Sequence, residues 1–128
     1  MENNNKKLGN NAELALCAKL SANGWWVHRI AYDNGGQPFD IVASKDEKAM
    51  FVDVKHCVTK RFPMQSIRPN QLTAMELLKS CGTQDLVGFM VVHSGTFFFL
   101  KYSVVTEYFR KGAKSIPLEE MTNADKVF

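Results

Sequence analysis

The 128 residues carry 45% hydrophobic and 23% charged side chains, the balance of an ordinary globular domain, and leave no room for a two-domain enzyme. The net charge is only +3, too small in bulk to mark a nucleic-acid binder. Its distribution is uneven: residues 1–79 hold 11 Lys/Arg against 8 Asp/Glu, residues 80–128 hold five of each, and the stretch 55–68 has four basic residues (Lys55, Lys60, Arg61, Arg68) and no acid.

The polar start Met1-Glu2-Asn3-Asn4-Asn5-Lys6-Lys7 leads into no apolar run, so no secretory signal is expected, and residues 1–8 read as a flexible N-terminus. Residues 10–22 read as a helix, with Asn10 or Asn11 as cap, Leu16, Cys17 and Leu20 at helical spacing, and Gly24 as stop. A strand over 25–31 closes on the turn Asp33-Asn34-Gly35-Gly36. Residues 38–44 and 49–57 form a hairpin across Lys45-Asp46-Glu47-Lys48. A basic loop covers 58–68. Pro69-Asn70 opens a second helix that runs to about Ser80 and stops at Gly82.

Residues 86–93 and 96–102 make another hairpin across Ser94-Gly95, and a short helix over 103–111 precedes an irregular tail. The order α-β-β-β-α-β-β-α predicts an α/β fold, a mixed sheet flanked by helices. The domain proper is expected over 9–120, with 121–128 as a C-terminal tail. No apolar stretch approaches the roughly 20 residues that span a bilayer. Three widely spaced cysteines (Cys17, Cys57, Cys81) fit neither a disulfide framework nor a metal site, and a reducing, cytoplasmic setting follows.

The chemistry sits in Glu13, Asp40, Asp53, Lys55 and Gln71. In Phe51-Val52-Asp53-Val54-Lys55, alternation puts Val52 and Val54 on one face and Asp53 and Lys55 on the other. An acid and a lysine in an apolar strand are costly to bury unless they are paired or bind a metal, although a solvated salt bridge explains them equally well. Asp40, in the adjoining hairpin arm, either satisfies backbone N–H groups near the turn or, across strands about 4.8 Å apart, converges with Asp53 on a cation. Two carboxylates, a backbone carbonyl and waters suit octahedral Mg²⁺.

Glu13 shares the apolar stripe of the first helix with Leu16, Cys17 and Leu20, so it either faces the sheet or closes a capping box with Asn10. Gln71 opens the apolar face of the second helix ahead of Ala74, Met75 and Leu78, or is an ordinary first-turn glutamine. Lys60, Arg61 and Arg68 flank Phe62 and Met64, a pattern of cations with apolar wedges that suits phosphates and an opened base step, or else a solvated loop. His28, His56 and His93 have no ligand-like spacing and read as structural or surface residues.

Glu13 on a first helix, Asp40 on a short strand and Asp53-Val54-Lys55 on the next resemble the PD-(D/E)XK nuclease superfamily. With Arg61-Phe62-Pro63-Met64, Ile67, Asn70-Gln71 and Lys114-Ser115-Ile116-Pro117 added, the chain from about residue 9 to 120 resembles the RecU-type Holliday junction resolvases. Asp53 stands where those proteins usually carry Glu, and the compact chain suits a phage-borne or mobile-element version. The resemblance implies a restriction-endonuclease-like fold and a homodimeric, Mg²⁺-dependent endonuclease, with Mn²⁺ as substitute, acting on branched or four-way DNA in recombination or repair. It also implies Asp40, Asp53 and the Val54 carbonyl as metal ligands, with Glu13 binding directly or through water. Lys55 would act on the attacking water, Gln71 would hold that water or a phosphate oxygen, and Lys60, Arg61, Phe62 and Arg68 would contact DNA. Restriction or general repair specificity, or a catalytically inactive DNA-binding module, are the alternatives.

Overall fold

A computed structural model describes residues 4–30 and 36–128, with side chains from residue 7 onward. Helix α1 (Asn4–Ala22) is followed by β1 (Trp26–Arg29), β2 (Ile41–Lys45) and β3 (Lys48–His56). Next come β4 (Arg61–Pro63), a 3-10 turn, α2 (Pro69–Ser80), β5 (Leu86–His93), β6 (Thr96–Lys101) and α3 (Tyr102–Arg110). The short strands β7 (Ser115–Pro117) and β8 (Thr122–Asn123) end the chain, with 3-10 turns after each. The main sheet runs β1-β2-β3-β5-β6-β8, antiparallel except for the central β3–β5 pair, and β4 and β7 form a separate two-stranded sheet. The expected mixed sheet flanked by helices is thus present.

Both hairpin turns adopt positive φ at two consecutive residues, Asp46 (49°) and Glu47 (66°), then Ser94 (48°) and Gly95 (78°). That backbone twist matches the twist of paired strands and fixes their register. Strand β5 is an unbroken apolar run because helices cover both of its faces. On one face Leu16 and Leu20 of α1 pack on Ile41, Met50, Val52 and Met90. On the other, Met75 of α2 and Val105 of α3 pack on Phe89, Val91 and Leu100. Strands β5 and β6 approach so closely at Gly88 that a Cβ there would sit 2.1 Å from the Leu100 carbonyl oxygen.

Three expectations need adjustment. Helix α1 starts at Asn4, not near residue 10, so Asn10 lies inside the helix and closes no capping box with Glu13. Strand β2 begins at Ile41, after Asp40, while residues 33–35 of the predicted turn lie outside the described residues. The supposed irregular tail adds β7 and β8 to the two sheets, and Ala124 is buried beneath the α1 face. All three cysteines are free thiols. Among the described residues no helix is long and apolar enough to cross a membrane.

Candidate active site

Strand alternation determines where the acids go. Val52 and Val54 pack with the α1 layer, whereas Phe51 packs with the α2 and α3 layer. Asp53 and Lys55 therefore face α2 and α3. Asp53 is only 3% exposed, and Lys55 Nζ lies 3.1 Å from its Oδ2 as an ion pair. That oxygen still receives no well-angled hydrogen bond from any described group.

Asp40 closes on the same strand from the β2 side. Its backbone N–H donates to the Val52 carbonyl at 3.0 Å, and its Oδ2 accepts from the Val54 N–H at 2.7 Å. Burial first, and the Asp40 carboxylate second, push the Asp53 carboxyl up to about 7, with Lys55 pulling in the opposite direction. Lys55 pairs with Asp53, and the two carboxylates repel each other. Asp40 thus satisfies a backbone donor, as one reading expected, and its charge is felt by Asp53.

Glu13 is near enough to Asp40 to feel its charge. Burial and then Asp40 raise its pKa, against the opposing pull of Arg29. Its Oε1 accepts from Arg29 Nε at 3.1 Å, and Arg29 also donates to Asn10 Oδ1. Arg29 is a site residue that the sequence alone did not single out. The one available signal was strand alternation, which puts it on the inward face of β1 with Val27. Among the described residues no cluster of three or more His, Cys, Asp or Glu side chains is arranged to hold a metal, and the direct partner of Glu13 is Arg29.

Gln71 is completely buried at the start of α2. Its Oε1 accepts from the Arg68 N–H at 3.0 Å and its backbone N–H donates to the Arg68 carbonyl at 3.0 Å, closing the helix N-terminus where the Arg68 side chain offers no acceptor. Its Nε2 has no partner among the described residues. Buried amide donors are rarely left unpaired, so the spare Nε2 is the part of Gln71 that a cap does not explain.

The basic run divides. Lys60, Arg61 and Arg68 are exposed, with Arg61 Nε donating to Ser115 Oγ at 2.8 Å. Phe62 is 1% exposed and stacks obliquely on Phe89 with ring centroids 6.0 Å apart, and Met64 is buried as well. The wedge expected of Phe62 is therefore corrected: β4 alternates Arg61 out, Phe62 in and Pro63 out, and pairing with β7 seats the ring in the core.

The family model for recombination protein U matches residues 34–127 of the chain. No curated protein matches it in sequence. Among solved structures, the chain is similar to that of Archaeoglobus fulgidus Hjc, a Holliday junction resolvase from an archaeal hyperthermophile. The two share 16% sequence identity and superpose with a TM-score of 0.68 over 93% of this chain and 98% of that one. The fold is common to both.

Proposed function

The chain belongs to the recombination protein U family, and on that premise we propose that it is a DNA endonuclease of the Holliday junction resolvase type that depends on a divalent metal. The observation that carries the reading is the Asp53 carboxylate, buried against the charge of Asp40, whose Oδ2 has the Lys55 ion pair and no well-angled hydrogen bond. A cation at this point offsets the repulsion between the two carboxylates. In a strand, the N–H and C=O of one residue point to the same edge, so the Val54 carbonyl faces the side on which its N–H meets Asp40. Asp40, Asp53 and that carbonyl are an all-oxygen set suited to Mg²⁺, with Mn²⁺ as substitute.

Bound there, the ion supplies Lewis-acid polarisation of the scissile phosphate and a more acidic water. Lys55, fixed by Asp53, orients or deprotonates the attacking water and offsets the charge that builds on phosphorus. Gln71 Nε2 donates to that water or to a phosphate oxygen, and Glu13 acts through water or through Arg29. Lys60, Arg61 and Arg68 hold backbone phosphates. In-line attack leaves 5′-phosphate and 3′-hydroxyl ends.

Paired incision of a symmetric junction needs two such sites, hence two copies of a chain with one. An apolar groove between α2 and the β1–β3 half of the sheet, lined by Phe39, Phe51 and Leu78 and edged by the exposed Leu77, supports self-association on that face. Leu77→Glu is expected to yield monomers by sedimentation, and an unchanged dimer would reject this face. A DNA substrate of this kind puts the protein in the cytoplasm. The substrate reading is tested with labelled four-way junction, flap and linear duplex. Paired cuts on the junction alone support resolvase specificity. Equal cutting of all three would indicate a general nuclease, and binding without cutting an inactive module.

A further inference from the structure

Past the ends of the parallel strands β3 and β5 lies a hollow of about 290 Å³ that the metal site does not use. Lys60, Arg61 and His93 form its polar wall, and Phe98, Pro117 and Leu118 its apolar floor. The construction is rigid. His93 Nδ1 lies 2.9 Å from the Cys57 carbonyl, and because a carbonyl only accepts, Nδ1 carries the proton and Nε2 is left as the free ring atom. The Cys57 N–H donates to the Val92 carbonyl at 2.8 Å, and the Lys60 carbonyl accepts from the Leu118 N–H at 3.0 Å. The walls are thus tied to β5 on one side and to the turn after β7 on the other.

Phe98 and Leu118 pack with the α2 and α3 layer, the face on which Asp53 and Lys55 stand. The hollow therefore opens on the same side of the sheet as the acids, displaced from β3 toward β6, opposite to Asp40. Two exposed cations above a half-buried aromatic ring are the chemistry of a nucleotide: charge-assisted contact for a phosphate, and an apolar surface for a base or sugar. A volume at the small end of ligand pockets admits one such unit and not a base pair. Glu119 is the one acid on the lining and disfavours an anion there.

We propose that this hollow binds a single unstacked nucleotide of the DNA strand, its phosphate on Lys60 and Arg61 and its base against Phe98 beside His93. The proposal rests on the reading of the chain as a DNA endonuclease, and it gives the protein a means of favouring DNA whose bases are opened. It also assigns a role to His93, Phe98 and Glu119, which lie outside the metal site.

The test is a heteronuclear NMR titration of the full, metal-free chain with thymidine 5′-monophosphate, thymidine and inorganic phosphate. The monophosphate is expected to shift the His93, Phe98 and Arg61 signals together, more tightly than either fragment. Lys60→Ala with Arg61→Ala, both at exposed positions, should weaken it by about tenfold. Glu119→Gln should tighten it by about two- to threefold, a gain that misfolding cannot produce. Equal affinity for phosphate alone would overturn the nucleotide assignment, and so would absence of shifts or indifference to both variants. No cleavage is involved. A chain that binds the nucleotide but never cuts DNA loses the nuclease reading alone, whereas one that cuts DNA with these signals unmoved loses the hollow alone.

Discussion

Lys55 Nζ lies 3.1 Å from Asp53 Oδ2, two positions away on the same face of β3, and this ion pair is the only positive charge set directly against the buried carboxylate among the described residues. The strand holds both groups without any loop, so the spacing survives thermal motion of the surrounding turns. If Lys55 works on the attacking water, and Asp40 and Asp53 hold the cation, the two tasks separate by mutation. Lys55→Ala should lower kcat by about 10²–10⁴-fold while calorimetry still detects Mg²⁺ binding. Loss of metal binding in that variant would contradict the separation and show that Lys55 is needed to hold Asp53 for the cation.

Proton linkage at Asp53 sets the pH dependence of stability. Its folded pKa of about 7 exceeds the ordinary value of 3.8, so between those limits the folded chain retains a proton that the unfolded chain has released. Stability from this group is therefore full below the lower limit and is lost as pH rises toward the upper one. The metal-free protein should unfold at a Tm several degrees lower at pH 8 than at pH 5. Asp53→Asn should flatten that slope, and Mg²⁺ should raise Tm at pH 8 far more than at pH 5. Thermal melts across the range, with and without the ion, check all three.

Gln71 has a structural atom and a spare one. Gln71→Ala removes the acceptor for the Arg68 N–H and should cost about 1–3 kcal/mol in denaturant melts. Gln71→Glu retains that acceptor and, once ionised, loses the donor. Its folded fraction should be preserved at low pH, where a buried carboxyl is neutral, yet its cleavage rate at permissive pH should still fall by at least about tenfold. Wild-type rates in Gln71→Glu would reduce Gln71 to a helix cap.

The two halves of the basic run should respond in opposite ways. Phe62→Ala should cost about 3–5 kcal/mol of stability, because the ring fills the core against Phe89. Alanine at Lys60, Arg61 and Arg68, all exposed, should leave the melt nearly unchanged and reduce the salt slope of DNA binding by about 0.9 for each phosphate no longer neutralised. Filter binding at several salt concentrations decides it, and an unchanged slope would remove these residues from the DNA surface.

What the chain revealed before folding, and what it concealed, follows from the range of each signal. The opening of helix Pro69–Ser80 and both ends of strand Leu86–His93 were legible, the first because proline fixes the opening turn and the second because a doubly covered strand is continuously apolar. The juxtaposition of Asp53 and Lys55 was legible from period-two alternation alone. The β4–β7 pair was not, since each strand has three residues and the partners are far apart in sequence, and with it went the burial of Phe62. Asn10 looked like a cap because asparagine favours that position, but the helix begins earlier, at Asn4. Arg29 became part of the site only when β1 was laid beside α1. The hollow at His93 needs three distant segments, and no local pattern announces it.

DNA cleavage by this chain should depend on a divalent ion held by Asp40 and Asp53. The most direct measurement is single-turnover cleavage of a labelled four-way junction as Mg²⁺ is titrated, for the wild-type chain and for Asp53→Asn. Saturable, EDTA-sensitive, paired cuts by the wild type, and a rate at least about 10³-fold lower in Asp53→Asn with junction binding retained, are the predicted result. Cleavage that persists without metal, or an Asp53→Asn chain that cuts at the wild-type rate, would contradict it.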